Sequence, residues 1–411
     1  MLISTRSGCA VLLLLLVGTQ SRPALGQTTI SAVNPAERMA YRPADPKNIS
    51  AFDHFYNLEY DQAVADFGEV LQRHPDDPFA VNHYMAAVLY RELYKLDLLN
   101  TGEYAHDNFI KASHETPDPK FQKEFQDLVD RAFKIEDARL GADPNDLDAL
   151  YTRGVTRAQF AVYTGLVQRA WISALRNAVG ARHDQEKVLQ LAPLTVQAKL
   201  VVGTHLYVLG SLPWTLRTAG GILGLSGNKE KGLQYLQDCA AGPGETSADA
   251  KILLVLFLRR ERQFSDALTI ARQLIASYPR NILMALEEGN LLRELGRYEE
   301  AAAAYRKVYK GGREGHYGDL HYEIAAYSLG EMLRDQKDYT GAAAAYEEVN
   351  EAPHASQEIR QKANLAAGEI YDHLQRRDLA VKKYQAVINE DGKSKLAETA
   401  SLYIKDPYKG E

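Results

Sequence analysis

From residue 45 onward, apolar positions recur every three or four residues, the period of one helix face. No run alternates apolar and polar residues between turn dipeptides, as a half-buried strand would. The pattern is sharpest in QFSDALTIARQL (263–274), RYEEAAAAYRKV (297–308), DYTGAAAAYEEV (338–349) and RDLAVKKYQAV (377–387). Aligned, these share a small residue, Ala267, Ala301, Ala342 and Ala380. Four residues later stands Ala271, Tyr305, Tyr346 or Tyr384, and three beyond that Leu274, Val308, Val349 or Val387. Phe264, Tyr298 and Tyr339 precede the small residue by three in three of the four. Offsets of three, four and three keep these positions on one face, with the alanine where a second helix must approach closely. Glu347 falls off that face. The small residues are 34, 41 and 38 positions apart, so a helical unit is repeated.

The helix before each segment carries its own small residue, at Gly154, Gly203, Gly289, Gly330 and Gly368. Prolines follow the second helix at Pro75, Pro144, Pro193, Pro279 and Pro353. The early stretch YDQAVADFGEVLQRHP (60–75) fits as well, with Ala63 and Phe67 in the small and aromatic slots. This pattern resembles the tetratricopeptide repeat, a helix–turn–helix unit with a 34-residue period. The resemblance implies an all-α, right-handed superhelix of about eight hairpins, at 45–75, 78–140, 147–193, 196–241, 248–279, 282–312, 323–353 and 361–390. Two hairpins are stretched by insertions at 97–120 and 211–227. The expected organisation is therefore N-terminal hairpins over 45–241, regular hairpins over 248–390, and a tail at 391–411. The stretch LPWTLR…GILGLSGNKEKGLQYL resembles the central segment of eukaryotic inclusion-body-clearance repeat proteins and of exported bacterial repeat proteins. That resemblance implies a scaffold without an assigned reaction.

The first 26 residues break the pattern. Arg6, the apolar run CAVLLLLLV (9–17) and the small residues of Ala24-Leu25-Gly26 have the order of a secretory signal. Cleavage near Gly26/Gln27 would leave a periplasmic or secreted chain with a disordered lead-in at 27–44. The apolar run is too short to span a bilayer, which takes roughly 20 residues. The run LVVGTHLYVLGSLPWTL (200–216) is uncharged, but it contains His205 and Pro213 and keeps Gly203 in its repeat slot. It reads as a buried helix followed by an apolar insertion, so no transmembrane span is expected in the mature chain. Cleavage also leaves Cys239 as the single cysteine, in an apolar helical slot, and no intramolecular disulfide.

The formal charge is −6, and loss of Arg6 and Arg22 with the leader takes it to −8. With no basic block, nucleic acid is not an expected partner. No HExxH, GxSxG, phosphate-loop or paired CxxC motif occurs, so neither a catalytic site, a metal site nor a cofactor is expected. His183, Asp184 and Glu186 form the densest polar cluster and read as a solvated helix face. Gly220, Gly221, Gly224 and Gly227 read as a packed loop before a helix capped by Asn228.

The repeat resemblance implies a binding surface lined by the first helix of each hairpin. Carried over by position, it comprises Arg259, Leu286, Asn290, Arg293, Tyr327, Glu331, Arg334, Leu365, Glu369 and Asp372. Arg259, Arg293 and Arg334 would form a ladder of forked donors suited to peptide carboxylates, unless they pair with neighbouring Asp and Glu. The expected function is an exported, non-catalytic scaffold for a protein or peptide. The alternative is a glycan- or lipid-binding protein using Tyr207 and an insertion lip at Trp214 and Arg217.

Overall fold

The computed structural model describes residues 41–99, 117–211, 226–318 and 321–410. The leader, most of the lead-in, and the centres of both insertions, including Trp214 and Arg217, lie outside the described residues. Among those described there are seventeen α-helices and no strand. They form two compact units, one of Tyr60–Arg260 with the described residues up to Phe55, the other of Glu261–Glu411 with Tyr56–Glu59.

The first unit carries α1 (Lys47–Tyr56), α2 (Tyr60–Arg73), α3 (Pro78–Lys95), α4 (Pro119–Ala142), α5 (Leu147–Val162), α6 (Trp171–Leu191), α7 (Lys199–Gly210), α8 (Lys229–Ala241) and α9 (Thr246–Arg260). The starts follow local chemistry. Asp77 accepts hydrogen bonds from the Phe79 and Ala80 amides with Pro78 in the first turn, and Asp146 and Asn228 cap α5 and α8 in the same way. Val70, Met85, Leu89, Phe125 and Tyr163 form the core beneath α2 to α5. The pair α7 and α8 approaches backbone to backbone. A Cβ on Gly203 would stand 2.9 Å from the Gly232 carbonyl oxygen, and one on Gly232 only 2.6 Å from the Tyr207 nitrogen. Where the second insertion begins and ends, the Asn228 amide donates to the Leu206 carbonyl at 2.9 Å, so this hairpin is closed by its own backbone.

The second unit continues with α10 (Phe264–Ser277), α11 (Ile282–Glu294), α12 (Tyr298–Arg313), α13 (Glu323–Asp335), α14 (Tyr339–Glu351), α15 (Gln357–His373), α16 (Arg377–Glu390) and α17 (Lys395–Lys405). Each helix packs on the next, and α13 also reaches α15 as α15 reaches α17. First helices of successive hairpins therefore adjoin. Within a hairpin the ring of the second helix covers the glycine of the first. A Cβ on Gly330 would lie 2.6 Å from the Tyr346 ring, and Gly289 with Tyr305 and Gly368 with Tyr384 repeat the contact. Ala301, Ala342 and Ala380 are fully buried, whereas Tyr298, three residues before Ala301, is 40% exposed. The turns repeat too. The amides of Arg297, Asp338 and Arg376 donate to the carbonyls of Leu292, Leu333 and Tyr371, five residues back, around a left-handed residue at Gly296, Lys337 or Gln375.

Two differences from expectation follow. The stretch expected as a tail contains α17, capped by Ser394, which accepts from the Ala397 amide and buries Ala397 and Ala400. Glu347 is engaged rather than idle, because the next hairpin brings the Tyr371 hydroxyl to 2.6 Å and the Lys383 ammonium to 3.2 Å. The clean comparison for packing is therefore Ala342 with Ala344, which is exposed on the same helix. Ala342→Leu is expected to lower unfolding free energy by about 1–3 kcal/mol through overpacking. Ala344→Leu should change it by less than about 0.5 kcal/mol. Denaturant melts of the two variants decide it; similar losses would place the hairpin contact elsewhere.

Candidate functional site

The surface expected to bind runs along α11, α13 and α15, and the core supports it directly. In α11, Leu286 is 7% exposed and sits in the core, so it offers little to a ligand. Asn290 accepts the Tyr305 hydroxyl at 2.8 Å and donates to Glu287 at 3.1 Å. In α13, the Tyr346 hydroxyl donates to Glu331, and Tyr327 packs on the Tyr346 ring with centroids 5.7 Å apart. In α15, the Tyr384 hydroxyl donates to Asp372 at 2.9 Å. Burial pushes the Tyr346 and Tyr384 phenols far above their usual range, so both stay protonated as donors. The buried tyrosines of the second helices thus hold the polar groups of the first helices from below. Leu365 stands half-buried on the same helix as Glu369 and Asp372.

The arginines of the expected ladder are divided between the units. Arg259 lies in the last turn of α9, in the first. Arg293 of α11 pairs with Asp335 of α13. Arg334 pairs with Glu369 at 2.8 Å. Burial works against the Arg334 charge, but the Glu369 carboxylate more than offsets it and holds the guanidinium above its ordinary range. Both arginines of the second unit are therefore ion-paired across neighbouring first helices. Asp372 has 1% of its side chain exposed. It is held by Arg377 at 2.9 Å to each oxygen and also receives the Tyr408 backbone N–H at 2.9 Å. The roles of Arg377 and Tyr408 went unread in the sequence, since their partners lie 5 and 36 residues away and share no pattern.

In the first unit, the solvated-face reading fails for Asp184. It is 7% exposed, because the pairing of α5 and α6 brings Arg153 to 2.6 Å and Arg157 to 3.2 Å from its carboxylate. Cys239 is 1% exposed, and burial pushes its thiol up to about 11, which leaves it an inert core side chain. Among the described residues, no helix is long and apolar enough to cross a membrane.

The family model of the tetratricopeptide repeat matches residues 254–316 and 318–356. Three solved structures of low identity are similar in fold. The hetero-tetramer of Cut9 and Hcn1 from APC/C is 12% identical, over 92% of this chain and 57% of that one, with a TM-score of 0.44. A Rap protein complexed with Competence and Sporulation Factor is 14% identical, over 87% and 95%, with a TM-score of 0.43. A tetratricopeptide repeat protein from Parabacteroides merdae is 13% identical, over 78% and 97%, with a TM-score of 0.31. The chain thus spans little more than half the length of the first of these, and at such identities and TM-scores the likeness carries no functional inference. No protein of curated function matches the sequence. The match at 254–356, together with hairpins that repeat one glycine–tyrosine contact and one turn, identifies tetratricopeptide repeats in this stretch of the chain.

Proposed function

We propose that the protein is an exported, non-catalytic scaffold that holds a protein or peptide partner on the first-helix face of its C-terminal hairpins. One observation carries this reading. Adjoining first helices present Tyr327, Glu331, Arg334 and Glu369 together, each fixed from beneath or across by a hydrogen bond, ion pair or ring contact, with Asp372 buried beside them. Side chains locked in this way lose little further entropy when a ligand arrives, which is the advantage of a preorganised surface. Export is supported by the order of charged, apolar and small residues over 1–26.

Site-specific photo-crosslinking tests the surface. A benzoylphenylalanine in place of Tyr327 is expected to capture a protein in cells, and the same group at exposed Ala344 is not. Combining it with Arg293→Ala and Arg334→Ala should lower the Tyr327 yield at least several-fold. Equal yields at the two positions would refute a binding role for this face. The mass of the captured chain reads export in the same experiment: it should begin at Gln27, and retention of Met1 would overturn that half.

A further inference from the structure

One segment of the chain lies against this face. After α17 ends at Lys405 the backbone turns extended at Asp406, and residues 407–410 adopt no regular structure. Asp406, Pro407, Lys409 and Gly410 are exposed, whereas Tyr408 turns back onto the hairpins. Its backbone N–H donates to Asp372 at 2.9 Å. Its ring lies edge-on to Tyr403 with centroids 5.4 Å apart, and Tyr403 in turn packs on Tyr384. Its hydroxyl accepts from the Arg334 guanidinium at 3.4 Å.

We propose that residues 406–408 are an internal occupant of the peptide-binding face, and that the partner displacing them is an extended segment bearing a tyrosine. The proposal rests on the scaffold reading above and specifies its ligand. Three features favour an exchangeable occupant over a structural cap. One residue of the segment makes the contacts while its neighbours stand in water, as with a side chain in a subsite. The contact to Asp372 uses a backbone N–H, which any extended peptide supplies. The frame also has supports that do not involve the segment, because Arg377 holds both oxygens of Asp372 and caps the Tyr403 and Ile404 carbonyls at 2.7 and 2.6 Å. With Asp372 paired to Arg377 and Arg334 to Glu369, the subsite is charge-balanced. A neutral ring with a hydroxyl suits it better than a free carboxylate.

A tethered segment competes at an effective concentration of order millimolar, so the test uses the peptide KDPYKGE at that level. Ligand-observed NMR would follow its tyrosine resonances over three chains: the full chain, the chain ending at Lys405, and the full chain with Tyr408→Ala. Broadening at least tenfold greater with the shortened chain and with Tyr408→Ala than with the full chain is expected, at unchanged circular dichroism. Equal broadening with all three, or none with any, overturns the proposal. The two readings separate cleanly. Failure of the peptide while Tyr327 crosslinks persist sinks this inference alone, and loss of those crosslinks while the peptide binds sinks the scaffold reading instead.

Discussion

Tyr346→Ala is expected to lower the unfolding free energy of the second unit by about 3–5 kcal/mol, the range for removing a buried aromatic side chain. The ring is fully buried, fills the space over Gly330 and touches Tyr327, so its loss leaves a void lined by groups that packing fixes in place. Tyr346→Phe keeps the ring and deletes only the hydrogen bond to Glu331. Glu331 is half-buried and can recover water, so about 1–2 kcal/mol is expected there. The gap between the variants, read from urea melts, measures ring packing against surface anchoring. If Phe loses as much as Ala, the tyrosine acts through Glu331 and not by filling the hairpin.

The second large effect is a pH dependence centred on Glu136, which lies fully buried between α4 and α5. The Thr156 hydroxyl stands 2.7 Å from a Glu136 oxygen and 2.8 Å from Asn82 Oδ1. The Asn82 amide nitrogen is committed to the Thr152 carbonyl at 2.9 Å, which fixes its oxygen toward Thr156. One hydroxyl proton cannot serve two acceptors, so the arrangement is complete only when Glu136 is protonated and donates. Burial, with Asp137 adding to it and Thr156, Arg153 and Thr152 opposing, pushes Glu136 up to about 7 from 4.5. The folded state then holds more protons than the unfolded state between those values. Its stability contribution is full below 4.5 and is lost as pH rises through about 7. The loss amounts to about 3 kcal/mol. Glu136→Gln keeps the donor and removes the titration. The stability of the variant relative to the parent should therefore rise by about 3 kcal/mol from pH ~5 to pH ~8. A difference that stays flat across that range would mean Glu136 is ionised in the fold.

The hairpins were legible because their packing repeats: Tyr305, Tyr346 and Tyr384 cover the glycines of the preceding helices, each four residues after a buried alanine, at a spacing any alignment exposes. Polar contacts obey no such period. Gln185 occupies, beside Gly154, the slot that tyrosines fill later, and no residue count announces that its amide reaches the Tyr151 carbonyl. The turns were half legible, since glycine marks Gly296, while Lys337 and Gln375 adopt the same left-handed backbone without a compositional sign. At the candidate site, the repeat resemblance placed Arg334 and Asp372 on the binding surface, but it could not say that Glu369, Arg377 and Tyr408 already hold them.

The two-unit division also has an optical consequence. The chain has two tryptophans, Trp171 and Trp214, and both fall in the sequence of the first unit. The second unit absorbs in the near ultraviolet through tyrosines, among them the buried Tyr305, Tyr346 and Tyr384. Red-edge excitation therefore reports the first unit alone, while the tyrosine band carries the second. A single melt followed at both wavelengths reads directly whether the halves of the array unfold as one cooperative body or as two.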